Sequence, residues 1–122
     1  MRAGSRGDAH KMKIDTQDNG DVLVLGLEGE LVSEACETLR EFVSSILRQT
    51  RSALVLDMSQ VGFIDSKGLE ILLWIRDYCR LSVIQFRLAG LSESCHTILE
   101  ITRLKQELVC YGELNEAVKS LA

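Results

Sequence analysis

The stretch Leu54-Val55-Leu56-Asp57-Met58-Ser59-Gln60-Val61-Gly62-Phe63-Ile64-Asp65-Ser66-Lys67-Gly68-Leu69-Glu70-Ile71-Leu72-Leu73 decides the fold. With Ala53, its first residues make a short apolar run, the pattern of a central strand covered on both faces. A loop follows through Gly62. At Asp65-Ser66 a helix starts, and either side chain can cap its first turn. From about Ser66 to Tyr78, apolar Leu69, Ile71, Leu72, Leu73, Trp74 and Ile75 cover more of the helix than one buried face needs. That helix is therefore buried on two sides, or part of it meets a partner. The order strand, loop, helix puts the Ser66 hydroxyl at the carboxyl end of the strand layer. There a helix N-terminus offers free N–H groups, and open α/β sheets meet their ligands at that edge.

The alternation continues on both sides of this unit. Upstream, Met12 to Thr16 reads as a short edge strand, Asn19-Gly20 as a hairpin turn, and Val22 to Leu25 as a strand. Ser33 is placed to cap a helix from about Glu34 to Gln49, with Ala35, Leu39, Phe42, Val43, Ile46 and Leu47 as its apolar stripe. Downstream, Val83 to Leu88 alternates as a strand with one wetter face. Ser92 caps a helix carrying Cys95, Ile98 and Leu99, Leu108 to Tyr111 is a last short strand, and Glu113 to Leu121 closes the chain as a helix. The order is β-β-α-β-α-β-α-β-α. It predicts one α/β domain over residues 12–122, preceded by a flexible, solvated tail over residues 1–11. The sheet is mostly parallel, four- to five-stranded, with about four helices and one hairpin at its start.

Composition limits what such a domain does. Of 122 residues, 46% are apolar and 26% charged, as in soluble globular proteins. The longest apolar run, Ile71 to Ile75, is far short of the ~18 residues of a membrane span. The net charge of -4 disfavours nucleic-acid phosphates and anionic lipid as direct partners. The four cysteines, Cys36, Cys79, Cys95 and Cys110, include no C-x-x-C pair and fall in apolar stretches, as reduced structural thiols of a cytoplasmic protein do. Only two histidines occur, His10 in the tail and His96 in a helix, and no nucleotide-binding, zinc-protease or nucleophile-elbow motif is present. The residues supply no catalytic constellation, no metal ligand set and no cofactor signature. They point to a binding module rather than an enzyme.

At Phe63-Ile64-Asp65-Ser66-Lys67-Gly68-Leu69, and at Leu27-Glu28-Gly29-Glu30-Leu31, the chain resembles the STAS domain in its stand-alone bacterial form, the anti-sigma-factor antagonists. The ending Leu99-Glu100-Ile101-Thr102-Arg103-Leu104, a short strand and a helix also fits, so the resemblance runs from about Met12 to Leu121. It implies a phosphorylation-switched protein-binding module of transcription regulation and signal transduction. Ser66 is the implied phosphoacceptor, and Glu30, Val32, Asp65, Lys67, Gly68 and Leu69 are the implied partner-binding residues. The unphosphorylated form captures an anti-sigma factor that is also a serine kinase, and a metal-dependent serine phosphatase reverses the mark. Two positions depart from the family pattern. Lys67 replaces a small Ser or Thr, and Val32 replaces an Asp that helps contact the kinase. These leave room for an alternative, an adaptor or scaffold in another signalling or secretion-regulating partner switch. Gly68 is expected where a helix start lies too close to another backbone for a side chain.

Overall fold

The computed structural model describes residues 12–49 and 52–121. The tail expected over residues 1–11 lies outside the described residues. Five strands form one sheet in the order β1-β2-β3-β4-β5. They are β1 Lys13–Asn19, β2 Val22–Glu28, β3 Ala53–Gln60, β4 Gln85–Ala89 and β5 Cys110–Tyr111. The helices are α1 Ser33–Ile46, α2 Ser66–Leu81, α3 Glu93–Ile101 and α4 Leu114–Lys119, with a 3-10 turn at Leu47–Gln49 after α1. Strand β1 pairs antiparallel with β2 through the Asn19-Gly20 turn, in which Gly20 takes φ 68°, and all other pairings are parallel. The element order and the mostly parallel sheet match the sequence reading.

Sequential strand order has a consequence for layering. Each crossover steps to the neighbouring strand, and right-handed crossovers then place α1, α2 and α3 on one face. The main core lies there. Leu23, Leu25 and Leu27 from β2 and Leu54, Leu56 and Met58 from β3 pack with Leu39, Val43, Ile71, Leu72, Ile75 and Leu99 from the helices. Fully burying each such Leu or Ile contributes roughly 1.5–3 kcal/mol. The opposite face holds a small cluster of Val24, Val55 and Ala89 under Ala117 of α4. Central strand β3 is thus apolar on both faces, as its sequence demands.

The boundaries differ where non-local contacts act. Val83, expected in β4, instead takes φ 58° and closes α2, with Ile84 N–H donating to the Cys79 carbonyl at 2.8 Å. Strand β4 begins only at Gln85, where pairing with Ala53 starts. Strand β1 runs on to Asn19 because β2 pairs with its whole length. The excess apolar surface of α2 is resolved mostly inward. Ile71, Leu72, Ile75 and Cys79 are buried, while Leu69, Leu73, Trp74 and Tyr78 pack on the rim of the core. Arg40 of α1 covers Trp74 at 4.8 Å.

Candidate functional site

Strands β2 and β3 are parallel neighbours, so the loops that follow them emerge side by side. They are joined by a small backbone bridge. Leu31 N–H donates to the Phe63 carbonyl at 2.9 Å, Asp65 N–H donates to the Leu31 carbonyl at 3.2 Å, and Gly29 N–H donates to the Gln60 carbonyl at 3.1 Å. Leu31 and Ile64, the paired residues of this bridge, are both buried in the core. Gly29 leaves β2 with φ 124°, a conformation that an L side chain resists. The motif around Glu30 and the motif around Ser66 are therefore one structural unit.

Asp65 ties the unit together. It is the N-cap of α2, and its Oδ1 accepts from Gly68 N–H at 2.8 Å. Its Oδ2 accepts from Ser33 N–H, in the first turn of α1, at 3.1 Å. One carboxylate thus satisfies orphan donors at two helix N-termini, where both dipoles favour a negative charge. This corrects the expectation for Ser33. The N-cap of α1 is Val32, which makes no side-chain cap, and Ser33 receives its help from Asp65 across the bridge. Sequence spacing had no signal for a cap supplied 32 residues away.

Gly68 is buried, and the reason is steric. A Cβ built on it would fall on the Leu31 carbonyl oxygen, within 2.7 Å of Ile64 Cγ2 and 3.1 Å of the Leu31 carbonyl carbon. The residue lets the first turn of α2 lie directly on the Leu31 backbone. It presents no side chain outward.

With Asp65 as the cap, Ser66 is the first residue of α2 and is exposed. Its hydroxyl takes part in no hydrogen bond among the described residues. Lys67 is also exposed and pairs loosely with Glu70, at 3.6 Å. Glu30 is exposed, Val32 and Leu69 are half-buried, and Leu69 packs on the core. The bridge gathers Glu30, Val32, Asp65, Ser66, Lys67 and Leu69 at one end of the domain. Two residues of this neighbourhood were not singled out as site residues from sequence. Phe63 stays 44% exposed beside the bridge. The Cys36 thiol on α1 is pushed up by burial and then by the Asp65 carboxylate. Among the described residues, no three His, Cys, Asp or Glu side chains are arranged to hold a metal ion.

The model of the STAS domain family matches residues 13–117. The chain belongs to the STAS domain family. Among solved structures, it is similar to a candidate anti-sigma factor antagonist from Thermotoga maritima, with a TM-score of 0.83 and 24% identity over 88% of this chain and 93% of that one. It is likewise similar to an anti-sigma factor antagonist from Mycobacterium paratuberculosis, with a TM-score of 0.80 and 21% identity over 90% and 93% of the two chains. A sulfate transporter family protein from Wolinella succinogenes shares the fold too, with a TM-score of 0.77 and 17% identity over 86% and 88%. At such identities the likeness establishes the fold, and function must be argued from the site.

Proposed function

We propose that the protein is a stand-alone anti-sigma-factor antagonist, a partner-switching module that works by binding rather than by catalysis. Unphosphorylated, it captures an anti-sigma factor with serine kinase activity in the bacterial cytoplasm. Phosphorylation of Ser66 releases that partner, and a metal-dependent serine phosphatase resets the switch. The docking face comprises Glu30, Val32, Asp65, Lys67 and Leu69 around Ser66, with Gly68 setting the backbone beneath them.

The observation that carries the reading is the exposed Ser66 hydroxyl, released from capping duty by Asp65 and standing at the first position of α2. A phosphoryl group there adds about -1.5 to -2 charges. The first-turn N–H groups of Ser66 and Lys67 remain open to it, since Asp65 engages only those of Gly68 and Leu69. The helix dipole also favours the charge. Lys67 can exchange Glu70 for the phosphate, an ion pair strengthened by charge-assisted hydrogen bonding. The modified domain stays folded, and the switch lies in the face itself. A flush partner meets new bulk, new charge and a desolvation cost.

Affinity for the anti-sigma factor kinase tests this reading. Ser66→Ala should bind as the parent does and take up no label from ATP. Ser66→Asp should bind at least about tenfold more weakly, a cost of about 1.4 kcal/mol. Equal affinity of the Asp and Ala variants refutes the mechanism. The same fold in a sulfate transporter family protein, with Val32 and Lys67 here in place of an acidic and a small residue, supports a second reading. In it, the domain is an adaptor in a different partner switch. Partner identification from native cells separates the two.

A further inference from the structure

A cleft of about 440 Å³ opens between α3 and β5, and its lining includes none of residues 30–32 or 65–69. It lies against Leu91 and Cys110-Tyr111-Gly112, at the carboxyl ends of β4 and β5. Its size falls within the range of small-ligand sites. The floor and wall combine apolar Leu91 and Tyr111 with polar Glu93, His96 and Lys105.

Lys105 gives the cleft its character. Its Nζ stands 2.8 Å from His96 Nε2. An ammonium only donates, so Nε2 is the acceptor in this contact. The Glu100 carboxylate stands farther off, 3.8 Å from the same Nε2. Lys105 makes no ion pair among the described residues, and its charge acts on the Cys110 thiol, opposing the upward push of burial. A half-buried cation thus lines the cleft, with an imidazole as its hydrogen-bond partner and no ion pair among the described residues. Arg76 on the neighbouring helix, by contrast, is paired with both Asp77 and Glu107.

The fold holds Lys105 in this position. Its N–H donates to the Leu99 carbonyl at 3.2 Å, beside that of Leu104 at 2.9 Å. Arg103 accepts φ 62° to make the turn, and two residues beyond Lys105 the Glu107–Arg76 pair, at 2.6 Å, clamps the loop to α2. A cation without an ion-pair partner in such a cleft attracts an anion more strongly than one in open water. Glu93, also in the lining, repels a dianion more strongly than a monoanion, and Leu91 with Tyr111 accommodates an apolar body.

We propose that this cleft is a binding site for a small monocarboxylate with an apolar body, its carboxylate on Lys105 beside the His96 ring. The site is independent of the Ser66 switch and stands or falls without it.

Sodium benzoate is the probe, titrated into the full chain against sodium chloride of equal ionic strength and read by amide correlation spectra. The expected result is saturable shifts centred on His96, Lys105, Tyr111 and Gly112, with inorganic phosphate binding more weakly. Lys105→Met should weaken benzoate at least about tenfold, while Lys13→Met, on the exposed edge strand β1, leaves it unchanged. Glu93→Gln should tighten phosphate relative to benzoate, and it keeps the test open if Lys105→Met does not fold. Shifts that never saturate, equal binding to the parent and Lys105→Met, or a relative phosphate affinity unmoved by Glu93→Gln overturn the proposal.

Discussion

Replacing Gly68 with Ala probes the joint that places Ser66. By helix propensity alone the change is favourable, by about 0.8–1 kcal/mol. The local geometry opposes it. The new Cβ would meet the Leu31 carbonyl and come within 2.7 Å of Ile64 Cγ2, whereas carbon atoms rest at about 3.5–4 Å. Ile64 is buried and Leu31 is held by two backbone hydrogen bonds, so neither can yield cheaply. Overpacking of this kind costs roughly 1–3 kcal/mol, and stretching the Leu31–Phe63 and Asp65–Leu31 bonds adds about 0.5–1.5 kcal/mol each. The net expectation is a loss of about 1–5 kcal/mol. In a domain of this size that lowers Tm by roughly 3–5 °C per kcal/mol. Urea and thermal unfolding give the total. Amide exchange locates it, with Leu31, Ser33 and Asp65 losing protection while β4 and α4 keep theirs. A Gly68→Ala chain as stable as the parent, or more stable, refutes the claim that α2 rests on the Leu31 backbone.

Three other outcomes follow from particular contacts. Asp65→Ala removes a cap from two helices and should cost about 1–3 kcal/mol, with faster exchange at both Ser33 and Gly68; an effect confined to Gly68 contradicts the shared cap. Val83, at φ 58° and 88% exposed, carries backbone strain with little burial to offset it. Val83→Gly should therefore stabilise the domain by about 0.5–1 kcal/mol in urea unfolding, and a loss of stability counts against that strain. The Cys79 thiol is fully buried and pushed up to about 12 by burial, so it should resist alkylation of the native protein at pH 8, where its thiolate is scarce. The partly exposed Cys36 and Cys110 should react sooner. Peptide mapping reads the order, and early labelling of Cys79 contradicts its burial.

Much of the molecule was legible in residue patterns because those patterns are local. Ala53 to Leu56 reads as a two-sided strand and lies buried on both faces. Ser92 reads as a cap, and its hydroxyl accepts from Cys95 N–H at 3.2 Å. What pattern could not supply came from contacts between distant segments. The cap of α1 is a carboxylate from the next crossover loop. The start of β4 is set by pairing with Ala53, although Val83 and Ile84 look like strand. At the site, Asp65 and Ser66 were equal candidates for the cap. Only the hydrogen bond from Gly68 to Asp65 assigns the roles and leaves the serine hydroxyl unengaged.

Mapping of phosphate on the protein isolated from its native cells tests the switch most directly. A fraction of chains should carry a single phosphoryl group, on Ser66, removed by a metal-dependent serine phosphatase and absent from Ser66→Ala. Phosphate consistently placed on another residue, or a chain that the partner kinase binds and leaves unmodified, would contradict it.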